Sequence, residues 1–555
     1  MHNTPVAAGA VDRDWWRGAV IYQVYPRSFA DSNGDGTGDL PGILARLDHI
    51  ASLGVDAIWI SPFFKSPMKD FGYDISDYRQ VDPVFGTLAD FDRLVAGAHA
   101  RGIKVIIDQV LSHTSDEHEW FKASRASREG DKADWYVWAD PQPDGSPPNN
   151  WLSIFGGAGW QWEPRRQQYY LHNFLVSQPD LNFHNPQVVE AVLDAMEFWL
   201  RRGVDGFRLD AINFCFHDPL LRNNPAKPAA LRKGRGYSVE NPYAYQYHLY
   251  DNTQPENLRF LERVRALLER YPGATSLGEV SCEDPMAAMA DYTAGGRRLH
   301  MVYNFELLVD QFSTRHVREV IEALEARGGD TWPCWAVGNH DVARVVSRWA
   351  LPGAAADRAR LFNAFLLSLK GSVCSFQGEE LGLEEADIPF EKLRDPYGIA
   401  FWPSFKGRDG CRTPMPWSAG AAHAGFTTAD EAWLPVPAAH QRQAVDLQQQ
   451  EPTSVLQAYQ RFIAWRRDMP ALRRGSLCFI DSPEGSLAFL REHSGQCLLA
   501  AFNFTGEDQR ILLPADWGVA AVVLQGHGFA PVAVQDGGFM LAPLQAAWLQ
   551  RAPVA

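Results

Sequence analysis

Three carboxylates end well-separated strand-like runs: Asp210 in GFRLDAIN, Glu279 in LGEV and Asp341 in GNHDVAR. A parallel barrel gathers the C-terminal ends of its strands around one pocket, so these residues together could supply an acid, a base and a nucleophile. Asp108 in KVIIDQV ends a fourth run, and His113 and His340 lie next to two of the others. Taken singly, each carboxylate has an ordinary alternative, capping the following helix or pairing with a neighbouring Arg. Their joint placement at strand ends favours chemistry.

The elements that must position them recur. A short β-rich run followed by a helical pattern appears at 19–26, 57–62, 104–110, 206–212, 275–280, 301–306, 333–339 and 372–380. That rhythm predicts an α/β fold, a (β/α)8 TIM barrel. In NPQVVEAVLDAMEFWLRRG the apolar Val188, Val192, Met196, Trp199 and Leu200 share one helical face, with Asn185 as cap, Pro186 in the first turn and Gly203 as stop. Two stretches break the rhythm. Residues 113–183 are loop-rich and too long for an ordinary connection, so they are expected to form an inserted subdomain after strand 3. Residues 381–453 are a second excursion, after strand 8. The barrel is thus assigned to 1–112 and 184–474, and the short alternating strands of 475–555 to a C-terminal antiparallel β-sandwich.

Composition narrows the function. The 555 residues are 46% hydrophobic, enough for a large core, and the net charge of -15 disfavours nucleic acid or an anionic membrane as partner. No run approaches the 18 or so apolar residues of a spanning helix, and the N-terminus lacks the pattern of a secretory leader. Seven cysteines without paired metal-ligand spacing fit reduced thiols and a cytoplasmic setting. Nineteen tryptophans suit the flat apolar faces of sugars, although large barrels are also rich in aromatics.

The segments DQVLSHTS, QPDLNF, GFRLDAIN, GEV and GNHDVAR, in that order, resemble the conserved regions of glycoside hydrolase family 13, the α-amylase family. The resemblance covers nearly the whole chain. GYDISDY, IFGGAGWQW, QYYLHNF, FQGEELG and KGRDGCRTPMPW are most similar to its bacterial exo-acting α-glucosidases. It implies a retaining mechanism on small α-glucosides, with Asp210 as nucleophile and Glu279 as acid/base, roughly 5 Å apart. Asp341 would bind sugar hydroxyls, and Arg208 would supply the counter-charge for Asp210. His113 and His340 would donate to hydroxyls of the same glucose. Asp74 and Arg408 would grip its far side, with Arg412 a weaker candidate, and Tyr73, Phe155 and Phe174 would form apolar walls.

The loop DSNGDGTGD places Asp31, Asn33, Asp35 and Asp39 at alternating positions around glycines, a spacing that suits a hard cation. Gly42 stands where an EF-hand needs a bidentate Glu, so that motif fails. The loop also resembles the structural Ca²⁺ or Mg²⁺ site of the α-glucosidase branch, with the Thr37 carbonyl as a further ligand; a Gly/Asp turn without metal is the alternative. No organic cofactor is expected, and a homo-oligomer is left open.

Some positions depart from the family pattern. Ser112 replaces an Asn associated with an interdomain calcium, and Phe183 and His184 differ from the usual Trp and Glu. Ala211, directly after the nucleophile, is small where oligo-1,6-glucosidase-like enzymes tend to carry Val, which implies a preference for α-1,4 over α-1,6 links. The leading expectation is an exo-α-glucosidase acting on maltose-like substrates, with transfer to alcohol or sugar acceptors. A sucrose isomerase or trehalose-forming enzyme, and more remotely a catalytically silent family member, are the alternatives.

Overall fold

A computed structural model describes residues 12–552 apart from 233–236, 238–239, 329, 516 and 518–520. The eight β-rich runs supply parallel strands β1 (Val20–Val24), β2 (Ala57–Ile60), β3 (Lys104–Val110), β4 (Gly206–Asp210), β5 (Thr275–Val280), β6 (Met301–Asn304), β7 (Cys334–Trp335) and β8 (Ser372–Phe376). They pair in the order β6-β5-β4-β3-β2-β1-β8-β7. A parallel bridge from Val302 to Pro333 joins the two ends, closing a TIM barrel.

Because side chains alternate along a strand, each run serves two layers. Ile21, Trp59, Ile106, Leu277, Tyr303, Cys334 and Cys374 fill the barrel interior, while Val20, Ile58, Val105, Ile107 and Val302 pack outward beneath the helices. The helix Pro186–Leu200 opens with the Asn185 side chain accepting from the Gln187 N–H and buries Val188, Val192, Met196, Trp199 and Leu200. Two runs make less strand than their composition predicts. β7 is two residues long, and β8 stops at Phe376 because Gly378 turns the chain at φ 93°.

Within 113–183 a small antiparallel sheet (Trp138–Ala139, Trp160–Glu163, Gln168–Leu171) encloses Trp151 and Trp160. The excursion after β8 carries short helices, among them Pro396–Phe401 and Val445–Gln450. From Ser476 the chain forms a five-stranded antiparallel sheet facing a two-stranded one, with Leu499, Ala501, Ile511 and Phe539 between them. The other face of the larger sheet docks on barrel helices, with Phe502 against Phe365 and Trp548 against Phe462. All seven cysteines are free thiols.

Candidate active site

Strand register brings the reactive side chains together. Asp108 on β3 lies beside Arg208 on β4, and Glu279 on β5 lies beside Tyr303 on β6. The Arg208 guanidinium, fully buried, is the hub: Nη1 reaches Asp108 Oδ1 at 2.9 Å and Asp210 Oδ1 at 2.5 Å, while Nη2 donates to Glu279 Oε2 and to the Tyr303 hydroxyl at 2.8 Å. One cation thus holds Asp210 and Glu279 at a common point. Next to Asp210, Ala211 adopts φ 41°, ψ 43°, a left-handed conformation that aims its N–H at Glu279 Oε2, 3.4 Å away.

A second cluster forms where the excursion after β8 returns to the strand ends. Arg408 contacts Asp341 at 3.2 Å, Asp70 at 3.0 Å and Asp395 at 2.7 Å, and Arg412 contacts the same Asp341 oxygen at 3.0 Å. A polar chain through His340 joins the two clusters, since Arg412 Nε donates to the His340 carbonyl oxygen at 2.6 Å. Gln23 Nε2 meets His340 Nδ1 at 2.7 Å, His340 Nε2 meets the Tyr73 hydroxyl at 2.5 Å, and that hydroxyl donates to Asp108 Oδ2 at 3.1 Å.

These groups surround a cleft of about 750 Å³, its open mouth included, walled by Asp210, Glu279, Asp341, Arg408, Tyr73, His113, Phe155 and Phe174. Two residues anticipated to touch substrate, His340 and Asp74, lie outside that wall, as does the counter-charge Arg208. Arg208 is sealed beneath the carboxylates, and His340 is covered by Tyr73. Asp74 faces inward, its carboxylate accepting from Ser66 Oγ and the N–H groups of Lys69 and Asp70. Asp70 takes the place on the wall assigned to Asp74. The reason is local: Phe71 and Gly72 turn at φ 49° and 109°, so the side chains on either side of the turn face different ways. Gln178, the first residue of QPDLNF, and Tyr397, which lies in none of the quoted motifs, also line the cleft; neither is a site residue predicted from the sequence.

The family description "Alpha amylase, catalytic domain" matches residues 23–475. The chain belongs to the α-amylase family. It is 54% identical over 532 residues, 95% of this chain and 96% of the relative, to a probable alpha-glucosidase of Rhizobium meliloti (strain 1021). Among solved structures it resembles the alpha-glucosyl transfer enzyme XgtA, at TM-score 0.94 and 62% identity over 97% of this chain and 99% of that one. It also resembles the trehalulose synthase MutB of Pseudomonas mesoacidophila MX-45, at TM-score 0.86 and 32% identity over 97% of this chain and 99% of that one.

Electrostatics differentiate the carboxylates of this α-amylase family site. Burial, opposed by Arg208 and reinforced by the charges of Asp210, Asp341 and Asp108, raises the Glu279 pKa well above the usual range, which favours the protonated form. Asp341 is also buried, yet His340, Arg408 and Arg412 hold it well below the usual carboxylate range. Burial pushes Asp108 up to about 7 and Asp70 up to about 6. It pushes His113 down to about 4 and His340 to about 3, so both rings are neutral at pH 7. A neutral His340 accepts from Gln23 at Nδ1 and donates from Nε2, which leaves the Tyr73 proton for Asp108.

In the loop after β1, the carboxylates are turned onto the loop's own backbone. Asp31 accepts from the N–H groups of Asn33, Gly34 and Gly36, and Asp35 from that of Thr37. Asp39 caps the helix Leu40–Ala45 through the Gly42 N–H. Gly42 has a steric cause: a Cβ there would lie 1.9 Å from the Ala30 carbonyl oxygen. Among the described residues no three His, Cys, Asp or Glu side chains are gathered as a metal cluster, and none of Asp31, Asp35 and Asp39 forms an ion pair. Three carboxylates without a paired cation, beside the Asn33 amide oxygen, are an all-oxygen donor set compatible with a hard dication.

Proposed function

We propose that the chain is a retaining exo-α-glucosidase that releases the terminal non-reducing glucose of short α-1,4-glucosides, or passes it to an alcohol or sugar hydroxyl. The observation that carries this reading is the shared grip of Arg208 on Asp210 and Glu279, which turns a nucleophile and a proton donor toward one spot in the cleft. Asp210 attacks the anomeric carbon while Glu279, protonated, gives its proton to the departing oxygen. The resulting glucosyl-enzyme ester is then opened by water or another hydroxyl, whose proton Glu279 takes back. Two inversions leave the α configuration intact. Asp341, held as the anion by its two arginines, accepts from sugar hydroxyls that become more acidic as the ring gains oxocarbenium character. Arg408 with Asp70 forms the far side of the glucose position. The likeness to a probable alpha-glucosidase of Rhizobium meliloti and to the alpha-glucosyl transfer enzyme XgtA supports hydrolysis and transfer on one scaffold. A difference of about 1–2 kcal/mol in the barriers for water and for an acceptor suffices to change the main product.

Ala211 lines the cleft next to the nucleophile, and its small side chain supports the α-1,4 preference. Faster cleavage of isomaltose than of maltose would overturn it. The likeness to a trehalulose synthase favours sucrose isomerisation as a second reading. Proton NMR of fresh products distinguishes them: early α-glucose from maltose, abolished in Asp210→Asn, supports the glucosidase, whereas rearranged disaccharide from sucrose supports the isomerase. Early β-glucose refutes Asp210 as nucleophile.

The loop oxygens of Asp31, Asn33, Asp35, Thr37 and Asp39 would bind one structural Ca²⁺ or Mg²⁺, neutralising a concentration of negative charge. Metal analysis of the purified protein, and a fall in Tm on chelation reversed by added cation, test that site. The free thiols support a cytoplasmic location.

A further inference from the structure

We infer that Tyr303 is a positioning residue that sets the proton affinity of Glu279 by sharing Arg208 Nη2 with it. Glu279 and Tyr303 are register partners on adjacent strands, and the Nη2 that donates to Glu279 also lies 2.8 Å from the Tyr303 hydroxyl. Each Nη carries two hydrogens. Those on Nη1 go to Asp108 and Asp210, and those on Nη2 divide between Glu279 and Tyr303. All four are committed.

The charges facing Glu279 are Arg208 and Asp210 on β4, Asp108 on β3, and Asp341 beyond β7; of these charges Arg208 alone favours its ionised form, beside the long hydrogen bond from the Ala211 N–H. Whatever withholds part of Arg208 from Glu279 therefore keeps Glu279 protonated. The Tyr303 oxygen does this without adding a charge, since burial keeps the phenol neutral. Tyr303 is 1% exposed and absent from the cleft wall, and its ring is held at 6.2 Å from Trp59 and 6.3 Å from Phe305. It reaches substrate only through Glu279.

The inference rests on Glu279 being the acid, so the test separates the two. In Tyr303→Phe the ring stays and the oxygen goes, and the released Nη2 hydrogen turns fully to Glu279. The alkaline limb of kcat/KM for maltose is expected to move down by about 0.5–1 pH unit, a roughly 3–10-fold loss on that limb, with the acid limb and KM little changed. An unshifted or upshifted limb, or a uniform loss at every pH, overturns the inference. With an aryl α-glucoside, Glu279→Gln is expected to lack this limb, and adding Tyr303→Phe to it is expected to leave the profile unchanged. A limb that persists in Glu279→Gln refutes the acid assignment. A further shift in the double variant refutes the route through Glu279.

Discussion

The Tyr73 hydroxyl and His340 Nε2 lie 2.5 Å apart, with the two rings within 2° of parallel. Through this pair Gln23, on β1, is connected to Asp108 on β3 and so to Arg208. In Tyr73→Phe, His340 Nε2 loses its nearest acceptor and keeps only Asp341 Oδ2 at 3.3 Å, and Asp108 loses one donor, both buried. The expected result is a fall in kcat/KM of about 10–100-fold, corresponding to roughly 1–3 kcal/mol for buried polar groups that each lose a hydrogen-bond partner. Steady-state kinetics on maltose check it, and an unchanged kcat/KM would mean the chain of hydrogen bonds is dispensable.

Asp70 is an Arg408 partner and its pKa is pushed up to about 6, chiefly by burial. A raised carboxylate pKa means the anion is lost as pH falls through that value. If the ionised form is what accepts sugar hydroxyls, kcat/KM declines below about pH 6, and Asp70→Asn flattens that decline while raising KM. Asp74→Asn, by contrast, weakens the turn that carries Asp70 and is expected to lower Tm. A KM effect confined to Asp74 would reverse the two roles.

Asp108 is pushed up to about 7, so above that pH it faces Glu279 as an anion and opposes its ionisation. Asp108→Asn removes that charge and leaves Arg208 freer to attract Glu279. Both changes act in the same direction. The alkaline limb of kcat/KM is expected at lower pH than in the wild type, measured on maltose across the alkaline range; a limb at higher pH would contradict the shared-guanidinium arrangement.

Gly42 has no room for a side chain, its missing Cβ being 1.9 Å from the Ala30 carbonyl oxygen. Backbone cannot swing aside as a flexible side chain can, so Gly42→Ala forces the helix Leu40–Ala45 away from Ala30, at the head of the loop 31–39. The expected loss is about 1–3 kcal/mol, the usual range for overpacking, seen as a lower Tm. Equal thermal midpoints would show that the helix shifts freely.

Ala211 holds φ 41° beside the nucleophile, a region costly for a β-branched residue. Ala211→Val is expected to lose both stability and kcat on maltose. A variant that kept its Tm and gained isomaltose cleavage would show that side-chain size alone acts there.

Much of this protein follows from local sequence. Short β-rich runs alternating with helical patterns dictate a barrel, and Asn185, Pro186 and the Val188–Trp199 stripe dictate one of its helices, because caps and amphipathic faces depend on neighbours within a few turns. Strand-end placement singled out Asp108, Asp210, Glu279 and Asp341. What only the tertiary structure decided are relations between distant segments. Asp70 rather than Asp74 faces the cleft because of two positive φ angles between them. His340 and Arg208 lie behind the wall, and Tyr303 joins the hub, because the parallel register sets β5 beside β6. Ion pairs such as Arg408 with Asp70, 338 residues apart, have no local signature, since they depend on where a long excursion returns to the barrel.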